Sequence, residues 1–261
     1  MFWANRMWHG LVIRANKMSW KAQIGLLKSK LIYDYKPFNA YRLKRFYSQF
    51  VSPGDLCFDV GAHTGNRSKT LLSLQCTVIA VEPSTFFVNH LQKRFKNFSD
   101  FKVVHAALGE ESRLAQLQIS NAYPTVSTLS KDWQGTVNAV LKKDVYDAQE
   151  QVQVTTLQKL IEQYGEPNFC KIDVEGYEVN VLKGLASPLN ALSFEFYSQN
   201  KENAYACIDL LMRLGNYEFN WSLSESLRLQ EEHWLNANFM KFKIESLEIL
   251  NSGDIYARLK K

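Results

Sequence analysis

Leu56-Cys57-Phe58-Asp59-Val60-Gly61-Ala62-His63-Thr64-Gly65-Asn66 is the stretch whose reading decides the fold. A short apolar run ends in an acid, a small-residue turn follows, and a helix-like segment comes next. An α/β nucleotide-type fold presents its first strand, ligand turn and first helix in that order. A dinucleotide fingerprint needs glycine at 61, 63 and 66. Here 63 is His and 66 is Asn. The turn therefore argues against a pyrophosphate and for a smaller ligand.

Downstream the alternation continues. A helix over 67–74, a strand over 77–81 ending at Glu82-Pro83, a helix over 86–95 and a strand over 101–106 complete βαβαβ, half of a doubly wound sheet. Residues 115–119 and 151–155 then alternate apolar with polar and are expected to pair. Between them lies an insert over about 120–150, loop-like over 123–135 and helical or irregular over 137–150. A helix over 157–164 breaks at Gly165-Glu166-Pro167. Strands over 169–173, 192–196, 217–221 and 254–259 follow, with helices over 177–182 and 204–214 and a helical segment over 230–245. Upstream, a helical segment over 41–50 and the turn Ser52-Pro53-Gly54-Asp55 lead into the first strand.

The 261 residues are 46% hydrophobic, enough for one α/β domain with an extension. Net charge is +5, but residues 1–50 hold ten Lys/Arg and only Asp34 as an acid. A basic, aromatic helical extension over 1–50 thus precedes a mildly acidic domain over 51–261. Trp20, Ile24, Leu27 and Leu31 fall on one helix face, with lysines nearby. Residues 1–35 suit either an anionic membrane surface or packing on the domain or a second copy. No window is apolar enough for a membrane span, and charges interrupt any signal-peptide core. The expectation is a cytoplasmic protein, with peripheral contact at the inner membrane surface open to it. Four widely spaced cysteines suggest neither zinc nor redox chemistry. No nucleic-acid-binding module surrounds the basic arm, so no nucleic acid is expected.

In an open α/β sheet, ligands bind beyond the carboxyl ends of the strands. Those ends read Asp59, Glu82, Ala106-Ala107, Asp173 and Glu195. Repeated carboxylates after apolar strands are hard to explain by packing. Glu82 is placed to accept hydrogen bonds from both hydroxyls of a ribose; its other reading is a turn acid before Pro83. Gly61 and Gly65 allow close backbone approach, and the N–H groups of 64–66 suit an anion.

Phe58 to Gly65 followed by Val81-Glu82-Pro83 resembles the donor sites of class I methyltransferases, which use S-adenosylmethionine (SAM). Lys171-Ile172-Asp173-Val174-Glu175-Gly176-Tyr177-Glu178, with Val181-Leu182-Lys183-Gly184 after it and Val154-Thr155-Thr156-Leu157 ahead of it, looks like the hallmark of the FkbM-type family. The resemblance implies a Rossmann-like, doubly wound seven-stranded sheet, mostly parallel, with an antiparallel last hairpin. It implies methyl transfer from SAM, often to a hydroxyl of a sugar, glycan or natural product. The donor would meet Asp59, Gly61, Ala62, His63, Thr64, Gly65, Asn66, Glu82, Ala106, Ala107 and Asp173. Its methionine carboxylate would face the turn's N–H groups, and Asp59 its ammonium. His63 departs from the third glycine of most class I enzymes.

A neutral hydroxyl is a poor nucleophile, so a base is expected. Asp173 is the first choice and His63 the second, with Glu175 and Glu195 converging beside them. Alternatively, Asp173 and Glu175 only orient their loop and bind the donor's amino group. Spacing gives no support to a divalent metal on Asp173, Glu195 and His63, and none is expected. The loop over 123–133 is a candidate substrate-side lid. An amine acceptor needs less base catalysis and is the alternative within the class. A non-catalytic membrane- or polyanion-binding module is the alternative outside it.

Overall fold

The structure, a computed structural model, describes residues 39–248 and 251–260. The helix read over 20–31 and the proposed contacts of residues 1–35 lie outside the described residues. In chain order the strands are β1 (Leu56–Val60), β2 (Thr77–Glu82), β3 (Phe101–His105), β4 (Ala107–Leu108), β5 (Arg113–Ile119), β6 (Ala148–Thr155), β7 (Phe169–Ile172), β8 (Ala191–Tyr197), β9 (Tyr217–Leu223) and β10 (Ser252–Leu259). The helices are α1 (Asn39–Tyr47), α2 (Asn66–Ser73), α3 (Thr85–Arg94), α4 (Lys131–Leu141), α5 (Leu157–Tyr164), α6 (Glu178–Lys183), α7 (Lys201–Leu214) and α8 (Ala237–Glu245).

Seven strands form one sheet in the order β3-β2-β1-β7-β8-β10-β9. The first five run parallel, and β10 pairs antiparallel with β8 and β9. This is the doubly wound sheet with an antiparallel last hairpin that the sequence implied. Period two sorts each strand between two apolar layers. Phe58, Cys170, Phe194 and Ile255 face one cluster, while Cys57, Val78, Phe169 and Tyr256 face the other. The same alternation puts Asp59, Glu82, Lys171, Glu195 and Asp254 on the second face, toward the end where the parallel strands finish. Asp59 lies opposite Lys171, and Glu195 opposite Asp254.

Helix α1 is seated on that second face. Phe46 meets Tyr256 edge-on at 5.3 Å, and Phe50 stacks on Tyr256 at 4.9 Å. Burying an aromatic of this kind is worth about 1.5–3 kcal/mol, and Leu43, Phe46 and Tyr47 of this helix join the apolar cluster on that face.

A second sheet, β4-β6-β5, stands beside the first. The expected pairing of its long strands is present with a shifted register: Ala115 lies opposite Val152 and Ile119 opposite Ala148. The insert between them is helical earlier than its composition suggested. Ser130 accepts a hydrogen bond from Trp133 N at 3.2 Å, so α4 starts at Lys131 instead of near 137. Helix α8, by contrast, starts later than expected, because Asn236 caps Phe239 N at 3.0 Å and Leu235 is still bridged to Phe219. Among the described residues, no helix is long and apolar enough to cross a membrane.

Candidate functional site

The turn after β1 and the ends of β2, β7 and β8 surround a cavity of about 410 Å³, within the range of small-molecule sites. Asp59, Gly61, Ala62, His63, Thr64, Asn66, Glu82, Ala106, Ala107, Asp173, Glu175 and Glu195 all line it. Gly65 does not. It holds φ +80°, and a Cβ there would come within 2.6 Å of Phe95 and 2.7 Å of Leu91. Its glycine serves the turn and the packing of α3 rather than ligand approach. Gly61, also at φ +80°, would put a Cβ 1.7 Å from the Asp173 carbonyl oxygen. The close approach it permits is between two backbone segments, the ends of β1 and β7.

His63 keeps a left-handed backbone, φ 48°, without being glycine. Its ring lies against Phe87 with centroids 3.9 Å apart, and Nε2 is buried without a hydrogen-bond partner. Burial pushes the imidazole down to about 4, so it is neutral at pH 7. Its backbone N–H donates to Glu82 Oε2 at 2.8 Å, and Ser84 N donates to Oε1 at 3.0 Å. These two amides fix the Glu82 carboxylate and leave lone pairs on both oxygens for a ligand. Burial nevertheless pushes Glu82 up to about 7. Asp59, 2% exposed, accepts from Ser68 Oγ at 2.5 Å, which ties β1 to α2. Burial raises its carboxyl above the usual value despite that bond.

The far end of the cavity is acidic. Asp173, Glu175 and Glu195 each bring a carboxylate oxygen within 4.8 Å of the other two. His63 stands outside this cluster, so the Asp173, Glu195 and His63 grouping weighed from the sequence is not formed. Glu195 lies within β8, not beyond its end. Lys171, 2% exposed, donates to Asp173 Oδ2 and to Asp254 Oδ1, both at 3.0 Å. Burial opposes the Lys171 charge, but the two carboxylates outweigh it and keep the ammonium protonated. Burial would likewise raise Asp173, yet Lys171 and the Glu195 carboxyl hold it below the usual range. Glu175 and Glu195 go the other way: burial first, then the charge of Asp173, pushes both well above it.

The insert closes over this end. Pro124 to Leu129 and Trp133 line the cavity. Thr128 Oγ1 donates to the Glu175 carbonyl at 2.7 Å, tying the loop to the acidic turn. Tyr197 donates to Glu175 Oε2 at 3.1 Å and packs its ring on Trp133 with centroids 4.1 Å apart. Tyr197 was not singled out from the sequence, although it sits two residues beyond Glu195 on the same strand, and period two points to it. Phe87, Arg67 and Ser84 also line the cavity without a sequence signal that would separate them from their neighbours.

The family model described as "Methyltransferase FkbM domain" matches residues 59–220. No curated protein matches the chain. Among solved structures, the chain is similar to an O-methyltransferase from Bacillus cereus in complex with SAH, at 10% identity over 92% of this chain and 89% of that one, with TM-score 0.47. It is similar to a TehB-like SAM-dependent methyltransferase from Corynebacterium glutamicum, at 10% identity over 92% and 98% of the two chains, with TM-score 0.45. It is also similar to a precorrin-6y C5,15-methyltransferase from Geobacter metallireducens, at 10% identity over 94% and 92%, with TM-score 0.44. With the family match extending over more than half of its length, the chain belongs to the FkbM methyltransferases and is a SAM-dependent enzyme.

Proposed function

We propose that this methyltransferase modifies a hydroxyl group on a sugar, glycan or natural product. The observation that carries the reading is the acidic cluster of Asp173, Glu175 and Glu195, enclosed in the same cavity as Glu82 and the turn after β1. A neutral hydroxyl must lose a proton as it attacks, and an enclosed carboxylate with a raised pKa is suited to take it. An amine acceptor, already nucleophilic once neutral, would depend less on such a base.

The residues at the β1–β2 end fit the donor. Glu82 has the free lone pairs that two ribose hydroxyls need, and His63, which lines the cavity, has a buried Nε2 without a partner. Glu82 would hold the ribose, and the turn over 61–66 the amino-acid end. When bound, SAM supplies an electrophilic methyl group on a cationic sulfur.

At the other end, Trp133 and Tyr197 would position the acceptor by packing against its less polar face, and the loop over 124–129 would exclude water. The carboxylates would receive the hydroxyl's proton. The test is incubation of the protein with methyl-labelled SAM and a panel of sugars, polyols and matched amines, with the product linkage read by NMR. Methyl ethers are expected. Label found only on nitrogen would refute the reading.

A further inference from the structure

The acidic end of the cavity holds more carboxylates than cations. The groups that face Glu195 come from three strands: Lys171 and Asp173 from β7 and the turn after it, Glu175 from the same turn, Tyr197 from β8 itself, and Asp254 from β10. The positive charge of Arg67 of α2 also acts on Asp173. Among the described residues, Lys171 is the ammonium that contacts the cluster, and it is shared at 3.0 Å each between Asp173 and Asp254. Glu195 Oε2 is buried and receives no hydrogen bond, although the Asp173 carboxylate lies beside it. Two carboxyl groups this close do not both ionise readily; they hold a proton between them. Asp173 is anchored as an anion by Lys171, so the proton falls to Glu195. Burial, together with Asp173 and Glu175, pushes the Glu195 carboxyl upward, in agreement with this assignment.

On the reading that this cavity takes SAM, we propose that Glu195 holds a proton in the ligand-free protein and releases it to solvent when the donor's sulfonium arrives, so that donor binding itself creates the general base. A positive charge brought into an enclosed anionic cluster favours its ionised form. The subsequent transfer then balances. The acceptor oxygen gains the methyl, its proton passes to Glu195, and the electron pair of the broken C–S bond stays on sulfur. The thioether product is neutral and Glu195 is again protonated, so the cavity returns to its starting charge. The acceptor meets an ionised base only while the donor is in place.

S-adenosylhomocysteine (SAH) lacks the methyl group and the sulfonium charge, which makes the pair of ligands a direct probe. The whole protein would be titrated calorimetrically with SAM and with SAH at about pH 7, in buffers of different ionisation enthalpy, to count protons. SAM should release about one proton more than SAH, and E195Q should erase the difference while both ligands still bind. In the unaltered protein, the preference for SAM over SAH should climb with rising pH, by up to about tenfold per unit. That second measurement keeps the test decisive if E195Q does not fold. Equal proton counts for the two ligands, a pH-independent preference, or a difference that survives E195Q would overturn the proposal. Binding of neither ligand would instead overturn the donor reading on which it rests.

Discussion

Gly61 and Gly54 both hold positive φ, +80° and +90°, but their surroundings differ. A Cβ at 54 meets nothing within 4 Å, so Gly54→Ala incurs only the left-handed penalty of about 1–2 kcal/mol. A Cβ at 61 falls 1.7 Å from the Asp173 carbonyl and forces the ends of β1 and β7 apart. Gly61→Ala should cost on the order of 3 kcal/mol or more, which in a domain of this size lowers the thermal midpoint by roughly 6–12 °C. Thermal unfolding of both variants checks this, and similar losses for the two would contradict the steric account. Asp59, Glu82 and Asp173 were legible in the sequence because an acid after an apolar run has no packing role. The part played by Gly65 was not legible: it lies away from the cavity and serves contacts with Leu91 and Phe95, which a local motif does not encode. Tyr197 and Trp133 were not legible as a pair, because their contact joins segments 64 residues apart that only the folded chain brings together.

Lys171 shows how elements are held at their functional end. It rises from β7, reaches Asp254 on β10 across the intervening β8, and steadies Asp173 beyond its own strand. Removing it leaves two carboxylates without their counter-ion. Lys171→Met should therefore destabilise the fold by about 3 kcal/mol, the lower part of the range for a broken buried pair, since Asp173 opens to the cavity. Adding Asp254→Asn should recover part of the loss, as an unpaired charge is removed. Chemical unfolding of the single and double variants measures it, and a double variant less stable than the single would refute the arrangement. Most of the β-strands followed from alternation and apolar runs, and the seven-stranded sheet with its antiparallel last hairpin from the family resemblance. Helices α4 and α8 began away from their expected positions because single caps, Ser130 and Asn236, decide where each starts. A hydrogen bond from one side chain weighs little in a composition window, yet it determines the first turn.

Across the whole molecule, burial of acids around one cavity sets how stability responds to pH. How the sheet gathers acids from distant strands was visible only as a list of strand ends; their mutual burial needed the fold. Glu82 and Glu178 are both pushed up to about 7, and burial raises Glu175 and Glu195 well above the usual carboxyl range too. In the unfolded chain such groups ionise near pH 4.3, so between about 4.5 and 7 the folded state binds more protons. Stability should accordingly fall as pH rises through that window, by about 1.4 kcal/mol per unit for each group titrating out of step. His63, lowered to about 4, acts oppositely: the unfolded imidazole takes a proton below about 6.5, so its contribution grows with rising pH. Asp173, held low, contributes its stability above the unfolded carboxyl value and loses it only in more acid solution, outside this window. Five raised acids, Asp59 included, against one lowered histidine leave a net decline from about pH 5 to pH 7. Glu178 isolates one share of it. Its Oε1 accepts from Val174 N and Gly176 N, and a glutamine oxygen preserves both bonds. Glu178→Gln should therefore fold normally and flatten the decline by about one proton's worth. Urea unfolding at half-unit steps of pH measures both slopes, and a stability that rises from pH 5 to 7, or an unchanged slope in the variant, would contradict the assignment.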